Sequence, residues 1–530
     1  MTSSIADGEK LVASPQPVAT FEQNILQTAK GGSYLFFGKL FTFASRFIVT
    51  LLLTRFLGPA DYGLYTVALS AAGLASGFAL VGLDTTLVRY VALYASRRDE
   101  QRLWGSIQLG LGISMVLSAV WSALLFGFAH WIAVNVFHDV RLAPVLQLVS
   151  FIVPVLGLSN LLAGATRGFK HMEDMVIAQN FAQPLVRVVL IVALAFAGLN
   201  IFEAIIIYGL ADLTASIVLL YFLNKRFSLR RSLSSARHEP RAILSYSIPM
   251  WLSELITTFR GSIQTILLGS LNTVFTVGIF SVANQINLFA DLVQTSMTMA
   301  VRPIIVEVHD MRNREQLRRL YQTVSKWLFA FNFPVFLVVI LFPTEILSVF
   351  GKSFEQGASA LVLLSWASLV DAGTGMCGAI LDMTGYTKLK LTNSILRLGT
   401  VLVMSIWLIP TQGMVGAAYA ALSGEIVVNF SRLAQVYVLF QILPYSISFL
   451  KPVFAGLIAL GVMLLMRYWI GFGSNGLEVV FQMGFLVLMY ISLVLIFGLD
   501  QADRTILNRM KRRTSRKLGR ESKNPKVLKP

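Results

Sequence analysis

Apolar residues run along this chain in blocks of about 20, each separated from the next by a short polar or charged stretch, and a block of that length is what one helix needs to cross a bilayer. Fourteen blocks are predicted as spans, near residues 33–57, 62–83, 105–130, 143–165, 176–197, 200–223, 244–268, 274–297, 323–342, 358–383, 391–409, 411–436, 450–470 and 477–498. The fold class is therefore an all-α polytopic membrane protein. The opening stretch is polar and contains Pro15 and Pro17, with no apolar core before Gly32, so no cleavable secretory signal is expected ahead of the first span.

Composition agrees with the pattern. The 530 residues are 55% hydrophobic and 13% charged, with a mean hydropathy of +0.69, far from soluble usage. The net charge of +17 would suggest nucleic acid in a soluble protein. Its placement says otherwise. Roughly thirty Lys and Arg fall in the tail and alternate loops on one side, against Arg55, Arg141, Lys352 and Arg467 on the other. Both termini are then expected to be cytoplasmic, in the plasma (inner) membrane. The basic tail 499–530 reads as a topology anchor touching anionic lipid, with no nucleic-acid partner. One cysteine, Cys377, excludes a disulfide framework and a cysteine-based metal site.

The chain also repeats itself. Gly63-Leu64-Tyr65-Thr66-Val67-Ala68 returns as Gly278-Ile279-Phe280-Ser281-Val282-Ala283, and at nearly the same offset Ala211-Asp212-Leu213 returns as Gly424-Glu425-Ile426. Six spans separate the copies, so both halves share one orientation, and an axis along the membrane normal should relate them. The expected organisation is an N-terminal tail 1–31, an N-lobe 32–223, a linker 224–243, a C-lobe 244–436, two extra spans within 450–498, and the tail 499–530.

Ionisable groups inside apolar blocks are the candidate chemistry, because a charge at mid-bilayer costs about 2.5–3.5 kcal/mol unless protein or water solvates it. In the first span Lys39 lies seven residues before Arg46, about 20 degrees away around the helix, so both are expected to face one space. Arg260, in the pseudo-equivalent span, is the third cation. Guanidinium groups grip phosphate in a fork geometry, and together the three predict an anion site between the lobes. Arg187, Asp212, Glu254, Asp291, Asp371, Arg397 and Glu425 are candidates for coupling or for structural ion pairs, with Arg187 placed to meet Asp212. Arg55, half a helical turn away from Arg46, is expected to reach the outer surface. Gln264, Thr265, Asn284, Gln285, Asn287, Gln294 and Thr295 offer either a polar lining or interhelical hydrogen bonds.

Leu53-Thr54-Arg55-Phe56-Leu57-Gly58-Pro59-Ala60-Asp61-Tyr62-Gly63-Leu64-Tyr65, with Val81-Gly82-Leu83-Asp84-Thr85-Thr86-Leu87-Val88-Arg89-Tyr90, resembles the opening of the polysaccharide-biosynthesis flippases. These are the O-antigen (Wzx-like) members of the multidrug/oligosaccharidyl-lipid/polysaccharide exporter superfamily. Gly385-Tyr386-Thr387-Lys388 and Gly413-Met414-Val415-Gly416-Ala417-Ala418 are similar to that family too, and the resemblance covers roughly residues 30–440. It implies two six-helix bundles in a V around a central cavity. It also implies a polyprenyl carrier with a diphosphate-linked oligosaccharide, turned from the cytoplasmic to the outer leaflet for lipopolysaccharide or related glycan assembly.

No cofactor, metal or catalytic residue is expected, and the chain is read as a secondary-type transporter. Its expected partners are the lipid-linked oligosaccharide, membrane lipids, and a polysaccharide polymerase or ligase. A cation-coupled exporter of the same superfamily is the alternative, needing an acidic cavity. A membrane glycosyltransferase or polymerase is the second, needing acidic or histidine chemistry in an outer loop.

Overall fold

The computed structural model describes residues 21–169, 171–195, 198–227, 236–470 and 476–498; within them, the side chains of 21–37 and of a few helical positions, Arg260 among these, are outside the description. Every described residue of the regular structure is helical. The first half contains α1 (Phe21–Leu80), α2 (Leu83–Ser96), α3 (Glu100–Trp131), α4 (Leu142–Ser150), α5 (Val153–Gly168), α6 (Met172–Met175), α7 (Gln183–Ala195) and α8 (Ile201–Arg226). The second contains α9 (Pro240–Leu271), α10 (Val274–Asp310), α11 (Arg314–Leu341), α12 (Pro343–Ser348), α13 (Ala358–Thr374), α14 (Cys377–Met383) and α15 (Thr387–Phe440). Then come α16 (Leu450–Ile470) and α17 (Gly476–Ile496).

Among the described residues the predicted apolar blocks fall largely on helix. By length and apolarity nine described helices can cross a bilayer, or ten if the bent pair α4 and α5 forms one crossing. The first two blocks are two helical segments of α1 separated by a kink where the backbone leaves the helix at Gly58, φ 71 and ψ 177, ahead of Pro59. The blocks on either side of Thr411 are likewise two segments of α15, separated where Gly413 takes φ 55 and ψ −129. A β-carbon is disfavoured at such angles, so glycine sets both bends. Polar residues start the helices where loops end. Asn200 and Glu203 form a reciprocal capping box at α8, and the Asp99 carboxylate accepts from the Arg102 N–H at α3.

The repeated hexapeptide is where the halves cross. A β-carbon on Gly63 would lie 1.8 Å from the Val274 carbonyl oxygen, and one on Gly278 would lie 2.0 Å from the Pro59 carbonyl oxygen. Pro59 and Val274 are themselves related by the offset of the repeat, so the two contacts are reciprocal. The Ser281 hydroxyl then lies 3.5 Å from that of its counterpart Thr66. The pair α1 and α10 makes the most extensive helix contact in the molecule, as backbones brought this close allow.

Burial divides the molecule along its long axis. At the end carrying Phe137, Leu268, Val274 and Phe350, one apolar core draws on both halves. At the other end two further cores form, one around Leu87, Trp104 and Leu223 that also takes in Ile243 at the start of α9, the other around Tyr321, Ile380 and Val436. A fourth core seats α16 and α17 on α11 through Phe333, Phe336, Leu486 and Tyr490, outside the repeated halves. The apolar core shared by both halves is thus confined to one end, and at the other the halves are joined by polar contacts such as Thr85 to Glu254 and Tyr94 to Glu239.

Candidate functional site

The first span presents its two cations to different neighbours. The Lys39 ammonium is half-buried and lies 4.0 Å from the Met299 sulfur on α10. Arg46 is exposed and within electrostatic reach of the buried Tyr62 hydroxyl and of Tyr208 on α8. Among the described residues neither cation forms an ion pair with a carboxylate. The Arg260 side chain is outside the described residues. Arg55 turns away, as its spacing from Arg46 requires, and its Nε donates to the Val349 carbonyl at 2.8 Å.

The other embedded charges are satisfied in pairs. On α7 and α8, Arg187 meets Asp212 at 3.2 Å with 15% and 6% of the two side chains exposed, and Gln183 also donates to Asp212 at 2.8 Å. The same guanidinium stacks 4.1 Å from the Tyr208 ring. On α15, Arg397 donates to Glu425, which also accepts from Asn429 at 3.2 Å. Asp212 and Glu425 are the repeat-related acids, so each half closes its last two spans with one ion pair. The Asp371 carboxylate accepts from Gln294 on α10. The pair Asp174 and Arg226, at 3.0 Å with the Asp174 side chain 3% exposed, escaped the sequence reading because Asp174 lies in the polar stretch ahead of the next apolar block.

Several of the amides make interhelical bonds. Gln264 donates to the Ala417 carbonyl at 3.2 Å, and Asn287 accepts from Ser368 at 3.1 Å. Gln294 and Thr295, by contrast, line a cavity of about 360 Å³ in the second half, together with Asp291, Asp371, Arg397, Glu425, Arg302 and Arg432. Three guanidiniums there face three carboxylates, so the lining is formally neutral.

A second cavity, about 320 Å³, opens between the halves, where α1, α2, α5 and α8 face α9. Its lining includes Ser76, Asp84, Asn160, Tyr208, Trp251 and Glu254. Glu254 accepts a 3.0 Å hydrogen bond from the Thr85 hydroxyl, which joins α9 to α2. Asp84 was not singled out from the sequence because an acid at the first turn of a helix reads as a favourable terminal charge.

The profile of the family described as polysaccharide biosynthesis protein matches residues 28–309, just over half of the chain. The chain belongs to this polysaccharide biosynthesis protein family. A second profile, MatE, matches residues 249–407, so the two together span both halves. Stage V sporulation protein B of Bacillus subtilis (strain 168) is 23% identical over 86% of this chain and 93% of its own length. A probable flippase, AglR, of Haloferax volcanii is 27% identical over 43% of this chain and 48% of its own length. Among solved structures, one described as the lipid II flippase MurJ in an inward closed conformation superposes with a TM-score of 0.68 at 14% identity, covering 89% of this chain and 98% of that one. An inward-facing multidrug resistance MATE transporter of the MOP superfamily gives 0.63 at 16% identity, over 75% and 94%. These likenesses carry the fold: this member of the polysaccharide biosynthesis protein family is a multi-pass helical membrane protein of the MATE and MurJ kind.

Within that fold, the cations of α1 stand apart from the paired charges of α7, α8 and α15. A guanidinium in contact with a carboxylate, as Arg187 is with Asp212, has its charge answered inside the protein. Lys39 and Arg46 have no carboxylate partner among the described residues.

Proposed function

We propose that this protein is a flippase that carries a polyprenyl-diphosphate-linked oligosaccharide from the cytoplasmic to the outer leaflet for assembly of cell-surface polysaccharide, without catalysing a covalent reaction. The observation that carries the reading is the contrast within the embedded cations: Arg187 and Arg397 are each held by a carboxylate, whereas Lys39 and Arg46 on α1 have none among the described residues. Two such cations suit a diphosphate, whose charge they would answer as it leaves water. Flippases among the similar proteins support the same substrate class.

In this reading the end with Ser96, Arg226, Asp310 and Phe440 is cytoplasmic, as the distribution of Lys and Arg indicates. The protein then lies in the plasma (inner) membrane with both termini inside. The head group enters against Lys39, Arg46 and Arg260 while the polyprenyl tail stays in the bilayer. Residues 32–223 and 244–436 then rock about their shared core and present the head group outside. A polymerase or ligase removing the product there would keep the exchange running forward.

The test is leaflet exchange of a fluorescent polyprenyl-diphosphate sugar in vesicles holding the purified protein. One charge-assisted hydrogen bond contributes roughly 1.5–3 kcal/mol, so Arg46→Ala should slow exchange by about tenfold or more while Arg46→Lys keeps part of it. Equal exchange in all three proteins would remove Arg46 from the mechanism. A cation-coupled exporter is the second reading, favoured by the carboxylates Asp84 and Glu254 in the 320 Å³ cavity. It predicts efflux of small solutes driven by a cation gradient, with no exchange of the lipid.

A further inference from the structure

The cavity between the halves has a chemistry of its own. Its charged lining consists of Asp84 from α2 and Glu254 from α9, close enough that the Glu254 carboxylate acts on Asp84. Arg167 on α5 also acts on Asp84, but it is not part of the lining. The Ser76 hydroxyl, on a residue 3% exposed, lines the same space without a hydrogen-bond partner among the described residues. Asn160 adds an amide that makes no hydrogen bond among the described residues, and Tyr208 and Trp251 add rings. The Trp251 N–H is committed to the Gly77 carbonyl at 3.1 Å, which fixes that ring in place.

Fixed aromatic rings beside acceptor-only carboxylates, an amide and a free hydroxyl suit a sugar. A sugar ring has an apolar C–H face to lay on an aromatic ring and a rim of hydroxyls, each able to donate to a carboxylate oxygen. At about 320 Å³ the cavity is at the small end of ligand sites, which run from roughly 300 to 1,000 Å³, so it admits a short saccharide and not a long one. Its position follows from Tyr208, which lines the cavity and also feels Arg46. A diphosphate held at Arg46 therefore has this cavity as its neighbour.

We propose that the Asp84–Glu254 cavity receives the sugar nearest the diphosphate and selects neutral or amino sugars against sugars that carry a carboxylate. The inference rests on the flippase reading and adds a specificity to it. Hydroxyl and ammonium groups donate to Asp84 and Glu254. A uronate has only acceptors on its charged carbon and brings a like charge between two others, which a partly dry site penalises.

Three fluorescent polyprenyl-diphosphate sugars decide the matter: a neutral hexose, a 2-amino-2-deoxyhexose and a hexuronate. Wild type in vesicles should exchange the first two about tenfold faster than the third, and Glu254→Gln and Asp84→Asn should each narrow that ratio by raising exchange of the hexuronate relative to the hexose. Equal rates for all three lipids in wild type, or an unchanged ratio in both variants, would overturn the proposal and leave the flippase reading intact. Binding of short-chain, water-soluble diphospho-sugars to the purified wild type, followed by tryptophan fluorescence, covers the case in which a variant fails to fold. There the uronate should bind about tenfold more weakly than the hexose, and equal binding overturns the proposal. Absence of lipid exchange with the binding preference intact would instead count against the flippase reading alone.

Discussion

Arg187 and Arg46 are the same side chain in the same half of the molecule, and the protein answers their charges in opposite ways. Arg187 is closed off by Asp212, Gln183 and Tyr208, so removing it strands a carboxylate side chain that is 6% exposed. Breaking a buried pair typically costs about 3–5 kcal/mol, whereas replacing both partners by apolar residues is often neutral. Arg187→Leu should therefore lower the thermal unfolding temperature of the purified protein sharply, and Arg187→Leu with Asp212→Leu should recover most of the loss. Arg46→Leu, with no carboxylate to strand, should leave that temperature nearly unchanged. The sequence showed that these charges lie in apolar blocks, since a charge in such a block is conspicuous. It offered Arg187 as the partner of Asp212, but it did not show that Arg397 meets Glu425, because those two lie 28 residues apart and only packing brings them together. Asp84 and Glu254 were harder still: they belong to opposite halves of the chain and meet only across the boundary between them.

At the scale of elements, the crossing of α1 and α10 depends on two hydrogen atoms where other residues carry a methyl group. Gly63→Ala or Gly278→Ala would drive a β-carbon to within 2.0 Å of a carbonyl oxygen, so the helices must part. Either variant should reduce the yield of monodisperse protein in size-exclusion profiles. Gly127→Ala on α3, where a β-carbon meets nothing within 4 Å, should instead stabilise by up to about 1 kcal/mol through helix propensity. The hexapeptide repeat made the duplication legible, but not that its two copies touch. A second link lies at the end away from the shared core, where the Tyr94 hydroxyl donates to Glu239 at 2.7 Å and Arg102 pairs with the same carboxylate at 3.0 Å. Burial, together with Glu239, pushes the Tyr94 hydroxyl up to about 12 from its ordinary value near 10. A raised value means this contribution is complete below about pH 10 and fades as the pH climbs toward about 12. Tyr94→Phe should therefore lower stability by about 1 kcal/mol at neutral pH, with the difference from wild type shrinking in that alkaline window.

For the whole molecule, an apolar core shared by both halves at one end only predicts where motion occurs. Spin labels at Ser96→Cys and Asp310→Cys, one in each half at the end away from the shared core, should move closer when the lipid-linked substrate is added, as measured by pulsed electron resonance. The native Cys377, 1% exposed, will not compete for label. An unchanged distance would argue against rocking. The membrane class and the repeated halves were legible because apolar length and a common offset survive in a single sequence. The breaks at Gly58 and Gly413 fall at the expected span boundaries, although Gly413 lies just inside the block expected from residue 411. The reciprocal fit of Gly63 on Val274 and Gly278 on Pro59 bears on ancestry as well as on rocking. Two identical six-helix subunits paired about a two-fold axis would set the same glycine against the same carbonyl in both directions. The contact here has that reciprocal form, and separately expressed halves are expected to find each other through it.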